Sequence, residues 1–181
     1  MNQQQFDSIE NTLTQIRLQV YAGNTNEMTI SNYLNNIEIC RSFYPLLHFF
    51  EVSLRNAIDK ALTDYSNGQE WMDILPLDSK SKLKIFNANQ TIKLHRHYVL
   101  RYAFPNCPKY LRTAKNMQKR FENFRILRNR ISHCERINHF KNLTILHTEL
   151  LESIGWIEKE VADLASKMDS VQTSLNFRIN L

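Results

Sequence analysis

Leu46-Leu47-His48-Phe49-Phe50-Glu51-Val52-Ser53-Leu54-Arg55-Asn56-Ala57-Ile58-Asp59-Lys60-Ala61-Leu62-Thr63-Asp64-Tyr65 is the stretch on which the fold turns. Its eleven apolar residues, Leu46, Leu47, Phe49, Phe50, Val52, Leu54, Ala57, Ile58, Ala61, Leu62 and Tyr65, fall on almost every side of a helix. A helix with no clear polar face belongs in the middle of a domain, touched from several directions. Glu51 and Arg55 lie one turn apart on it, with Asn56 and Asp59 close by. If that face is buried, the charges must be paired or serve a site, because an unpaired buried charge is too costly. His48, set among four apolar neighbours, reads as a satisfied core histidine.

The rest of the chain supplies helices to surround this one. Only 3 Gly and 4 Pro stand against 43% hydrophobic residues, and there is no long alternating run, so the expected class is all-α. The 181 residues suffice for one domain with a real core. Phe6, Ile9, Leu13, Ile16 and Val20 recur at steps of three and four and predict a first helix over 4–20, closed by Ala22-Gly23-Asn24-Thr25-Asn26. A second helix is expected from an N-cap at Ser31 through Tyr33, Leu34, Ile37 and Ile39 to Phe43, with Pro45 as the boundary to the next.

Beyond Tyr65, Ser66-Asn67-Gly68-Gln69 ends the central helix and 71–76 reads as a loop. A weaker polar helix is expected over 79–95, then a loop at Phe104-Pro105-Asn106-Cys107-Pro108, since two prolines three apart cannot sit inside a helix. We read 77–110 as an insertion whose basic residues Lys82, Lys84, Lys93, Arg96, Arg101 and Lys109 form a solvated surface within reach of a polyanion. Three more helices are expected, over 111–134, 139–153 and 156–168, within a single domain of residues 1–169. A C-terminal tail of 170–181 would follow, fraying or docking.

Charge and cysteine usage bound the function. A formal charge of +5 and a pI near 9.2 are compatible with an anionic partner without requiring one. Cys40, Cys107 and Cys134 are odd in number and widely spaced, which fits a reducing compartment better than a disulfide framework. Met1-Asn2-Gln3-Gln4-Gln5-Phe6-Asp7 has neither the basic start nor the apolar run of a signal peptide, and no segment reaches the roughly 18 apolar residues needed to span a bilayer. The expectation is a cytoplasmic protein without a membrane partner.

The densest chemistry lies at Phe124-Arg125-Ile126-Leu127-Arg128-Asn129-Arg130-Ile131-Ser132-His133-Cys134-Glu135-Arg136. At about 100° per residue, Met117, Phe121, Phe124, Leu127, Ile131 and Cys134 form an apolar stripe toward the core. Asn129 and His133, four apart, share another face, flanked by Arg125 and Arg136, with Arg128 between this face and the stripe. Ile126 sits beside His133 on the side away from the core, apolar surface that a second copy of the chain could cover. A neutral His133 could take the proton of an RNA 2′-hydroxyl, or in protonated form give one to the leaving 5′-oxygen. Arg128 could grip the phosphate through its planar fork, and Asn129 could orient either group. No metal or other cofactor is needed, and the products would be a 2′,3′-cyclic phosphate and a 5′-hydroxyl.

Arg128-Asn129-Arg130-Ile131-Ser132-His133 resembles the Arg-polar-x-x-x-His signature of HEPN ribonucleases. Phe50-Glu51-Val52-Ser53-Leu54-Arg55-Asn56-Ala57-Ile58 and Leu127-Arg128-Asn129-Arg130-Ile131-Ser132-His133-Cys134-Glu135 look like the two signature blocks of the Abi-like (abortive infection) family. Leu151-Glu152-Ser153-Ile154-Gly155-Trp156-Ile157 is similar to its C-terminal block, so the resemblance covers about 31–168 with the blocks in order. It implies an all-helical HEPN-like bundle, here with additional N-terminal helices and the inserted region, dimerising so that two motifs face each other across a cleft. It also implies an endoribonuclease acting in phage defence or a toxin-antitoxin-like system, with RNA and an antitoxin or regulatory RNA as partners. By position, Arg128 and His133 are the catalytic pair, Asn129 the motif's polar residue, and Glu51, Arg55, Asn56 and Glu135 supporting polar groups, while Arg125, Arg130 and Arg136 offer contacts to RNA. The run His133-Cys134-Glu135-Arg136 keeps the glutamate of the family's usual continuation but lacks its second His and its Pro.

Other readings of these residues stand beside this one. Cys134 beside His133, with Glu135 and His139 near, suggests a metal or thiol site, yet Cys134 belongs to the predicted stripe and no second ligand pair is close. His95 and His97, two apart, point to opposite sides of a helix. His147 reads as a helix-face residue. The main alternative is a non-catalytic dimer that binds RNA, a nucleotide or a protein in the same basic cleft.

Overall fold

One helix of 40 residues, Asn26–Tyr65, is the spine around which the others are arranged. The computed structural model describes residues 1–67, 96–179 and 181. In chain order the described helices are α1 (Gln3–Leu13), α2 (Gln15–Gln19), α3 (the spine), α4 (Arg96–Ala103), α5 (Ala114–Ser132), α6 (Leu143–Ile157), α7 (Lys159–Lys167) and α8 (Val171–Asn176). The fold is all-α, and no described helix is long and apolar enough to cross a membrane. α3 touches α2, α4, α5, α6, α7 and α8, the central place that its apolar composition called for.

The spine is longer than expected at both predicted joints. Thr25 caps it, its hydroxyl accepting from the Met28 amide at 3.2 Å, so Ser31 lies inside the helix and is no N-cap. Pro45 also lies inside it and marks no boundary. Continuing through the proline keeps Phe43, Leu46 and Leu47 buried in one core. Burying three such side chains is worth roughly 5 to 9 kcal/mol, against roughly 3 kcal/mol for a proline within a helix. The spine also has an exposed face, carrying His48, Val52, Arg55, Asn56 and Asp59. His48 is therefore not a core histidine, and the charges near it carry no burial cost.

The predicted first helix is two helices. Asn2 and Gln5 cap α1 reciprocally, each side chain accepting from the other's amide at 2.9 Å. Thr14 then takes φ 70°, a conformation rare for a β-branched residue, and restarts the helix in a new phase. Leu18 is thereby buried with Phe6 and Ile30 in a small second core, while Ile16 and Val20 face solvent. Gly23 closes the segment where a Cβ would stand 2.5 Å from that of Met28, and its amide donates to Thr29 Oγ1.

The main core joins α3 to α4, α5 and α6. Phe50 meets Phe121 and Phe124 edge-on at ring distances of 5.2 and 5.1 Å. Val99, Leu100, Ala103, Phe104 and Cys107 are buried in this core. Loop geometry at 104–108 agrees with its prolines. Expectations for 68–95, and for the side chains of Arg96 and His97, lie outside the described residues.

Toward the C-terminus, boundaries shift. Ile137 is fully buried in the turn after α5, which delays α6 from the expected 139 to Leu143. Trp156 joins the end of α6, and Glu158, extended at φ −150°, separates it from α7. The segment 170–179 docks: Val171 is buried, α8 touches α3, and the Ile179 amide donates to Asn35 Oδ1 at 2.8 Å. His147 is not a helix-face residue. It is buried, with Nε2 2.6 Å from Asp169 Oδ2 and Nδ1 3.2 Å from Gln172 Nε2, and it fastens α6 to the start of α8.

Candidate functional site

α5 starts at an N-cap, Thr113, and buries Met117, Phe121, Phe124 and Leu127 as the stripe requires. Its last turn departs from the expectation. His133 is the C-cap, at φ −93° and ψ 10°, and Cys134 follows in the left-handed region at φ 55°. The Cys134 amide donates to Ile131 O at 3.1 Å and the Glu135 amide to Arg130 O at 2.8 Å, the paired bonds of a Schellman ending. Cys134 thus leaves the stripe and is exposed. The helix stops there because the chain must turn to bring Ile137 into the core.

His133 is accordingly presented by a helix terminus. Its amide still donates to Asn129 O at 2.9 Å, closing the last turn, and its side chain is exposed. Arg128 lies one turn earlier and reaches across to the spine, its Nε donating to Glu51 Oε1 at 2.9 Å. The adjacent Nη1 donates to Asn129 Oδ1 at 3.4 Å. Glu51, predicted as a helix neighbour of Arg55, therefore pairs with the motif arginine, and both side chains remain about half exposed, at 43% and 48%. Arg55 and Asn56 lie on the exposed face of the spine, where they flank Glu51 in sequence.

The loop after His133 is held by a residue that the sequence reading did not single out. Asn36, only 3% exposed, accepts through Oδ1 from the amides of Ile137 at 2.8 Å and Asn138 at 3.1 Å. Its Nδ2 donates to Glu135 O at 3.3 Å and to the Tyr21 hydroxyl at 3.2 Å. The N-terminal segment adds two ties: Arg17 Nη1 donates to Cys134 O at 3.0 Å, and Arg136 Nη1 donates to Val20 O. A signal existed in the pair Asn35-Asn36, two amides at core positions of an otherwise apolar helix face.

The arginines expected to contact RNA are divided. Arg125 is engaged by Glu122 on its own helix, at 2.9 and 2.6 Å. Arg130 approaches Glu135 at 3.4 Å and lies over the Phe140 ring, whereas Arg136 lies over Tyr21 and donates to Asn138 Oδ1 at 2.7 Å. Arg130, Glu135 and Arg136 line an open groove with Arg17 and His139. Burial, and then the charges of Arg136 and Arg130, hold the His139 imidazole below its ordinary pKa. Burial pushes the Cys40 thiol up to about 11.

Compared with protein-family models, with characterised proteins and with solved structures, the chain shows no significant match to any of the three.

Proposed function

We propose that the chain is a metal-independent endoribonuclease of the HEPN type, related to the Abi-like family and acting in phage defence or a toxin-antitoxin-like system. The observation that carries this reading is the end of α5: an arginine oriented by a carboxylate from the neighbouring helix, followed by an exposed histidine fixed at the C-cap. In the proposed reaction His133 accepts the 2′-hydroxyl proton as that oxygen bonds to phosphorus, and the P–O5′ bond breaks. The departing 5′-oxygen takes a proton from an imidazolium, leaving a 2′,3′-cyclic phosphate and a 5′-hydroxyl. Arg128 opposes the charge gathering on the phosphoryl oxygens, and Asn129 steadies Arg128 through its Oδ1.

A second copy of the chain supplies the other imidazole in this scheme. Ile126, 39% exposed beside the motif, offers apolar surface for that contact. An antitoxin or regulatory RNA would restrain such an enzyme.

One observation favours the rival reading of a non-catalytic RNA-, nucleotide- or protein-binding dimer: Arg128 already has a carboxylate partner. The two are separated by incubating labelled RNA with the protein in the presence of a chelator. Cyclic-phosphate ends that disappear in both His133→Ala and Arg128→Ala support the nuclease. Binding without cleavage under every condition supports the binding module, and a strictly monomeric species overturns the two-motif cleft.

A further inference from the structure

The groove between residues 14–21 and 130–139 adjoins His133, and beyond RNA contacts for Arg130 and Arg136 the ribonuclease reading assigns nothing to it, least of all to Ile16, Arg17 and Val20. Its space is about 530 Å³, on the scale of a nucleotide. Three arginines line it, Arg17, Arg130 and Arg136, against one carboxylate, Glu135. Among the described residues Glu135 pairs with Arg130; the ties of Arg17 and Arg136 end on neutral oxygens, those of Cys134, Val20 and Asn138. Among the described residues no carboxylate pairs with either of those two guanidinium groups, which are held in place by neutral oxygens. Around them the wall is apolar and open, since Ile16 is 82% and Val20 49% exposed.

Fixed cations beside an exposed apolar wall are what a single nucleic-acid strand requires, phosphates on the former and base faces on the latter. An inorganic anion would use only the charges. We propose that this groove is a subsite for single-stranded RNA, holding the phosphates and bases that flank the bond presented to His133. The inference rests on the ribonuclease reading for its substrate, and on the groove alone for its location. It gives α2 and the residues that flank it a role in substrate binding.

The test uses the full chain carrying His133→Ala, so that RNA is bound and not consumed, with a short labelled single-stranded oligoribonucleotide as probe. Ile16→Glu places a negative charge in the groove without breaking a tie, and Arg17→Gln removes a cation. Each is expected to weaken binding roughly fivefold to tenfold and to flatten the salt dependence by roughly 0.7 per lost phosphate contact. Unchanged affinity and salt slope in Ile16→Glu, whose side chain is too exposed to disturb folding, overturns the proposal. Equal competition by inorganic phosphate or a mononucleotide overturns the strand assignment in favour of a small anion. Cleavage by the otherwise native chain with groove-indifferent binding sinks the subsite alone, and groove-dependent binding without cleavage sinks the nuclease alone.

Discussion

Arg128 and Glu51, 77 positions apart in sequence, meet through a 2.9 Å bond that fixes the motif arginine to the spine of the fold. Because both side chains are half exposed, the pair adds little to stability, roughly 1 kcal/mol or less. Its expected effect is on chemistry. Glu51→Ala should lower kcat roughly tenfold with little change in KM, because the arginine is left to search for its orientation. Glu51→Gln should recover part of that loss, and Arg128→Ala should cost roughly a hundredfold or more. Single-turnover cleavage beside thermal melting checks this, and a Glu51→Ala variant that cleaves normally would remove Glu51 from the site.

Asn36 is expected to be the most sensitive polar residue of the spine. Asn36→Ala leaves the Ile137 and Asn138 amides and the Glu135 carbonyl without their partner. Leaving a buried polar group unsatisfied costs roughly 1–3 kcal/mol. Urea denaturation should show a loss of roughly 2–4 kcal/mol, and at temperatures where the variant is folded kcat should fall because the loop no longer fixes His133. A loss below about 0.5 kcal/mol would mean that water replaces the amide there.

Cys134 occupies a backbone conformation that suits glycine, at φ 55°. Cys134→Gly is expected to stabilise the chain by about 1 kcal/mol, raising Tm by roughly 2–4 °C, whereas Cys134→Val should destabilise it. Native-state alkylation near neutral pH should label Cys134 first, since Cys107 is buried and the Cys40 thiol is pushed up to about 11. Rapid modification of Cys40 would contradict that order.

His139 predicts a pH dependence with a definite sign. Its folded pKa lies below the ordinary value of 6.5, so the unfolded chain binds this proton more readily. The stability involved is fully present above about pH 6.5 and is lost as pH falls from there through the folded pKa. Urea denaturation at successive pH values should show less loss between pH 7.5 and 5.5 for His139→Gln than for the native chain. RNA phosphate in the groove would offset the arginine charges, so oligonucleotide affinity should rise as pH drops through the same window, and a flat profile would argue against an anion beside His139.

How far the sequence could be read depended on which force was acting. Phe121, Phe124 and Leu127 announced their burial by period, because a helix face is a local geometric property. Pro45 and the joint at Thr14 show the opposite: proline locally favours a break and the apolar period over 4–20 favours one helix, yet the chain continues through the first and breaks at the second, where packing decides. The spacing that puts His147 on a helix face does not show its partners, Asp169 and Gln172, because they lie across a chain reversal that no spacing rule anticipates. Arg128 and His133 were visible as a motif, but the carboxylate holding one and the turn presenting the other depend on residues distant in sequence.

The unbroken spine has a metric consequence. Asn36 grips the loop beyond His133, and Glu51 grips Arg128, fifteen residues further along one continuous helix. They lie about 22 Å apart along its axis, while the motif runs the other way. α3 therefore acts as a ruler for both ends of the candidate site. Inserting or deleting a single residue between 36 and 51 would turn one grip about 100° relative to the other, a dislocation no side-chain exchange in that interval produces. Across those turns, variation in length should be far less tolerable than variation in composition.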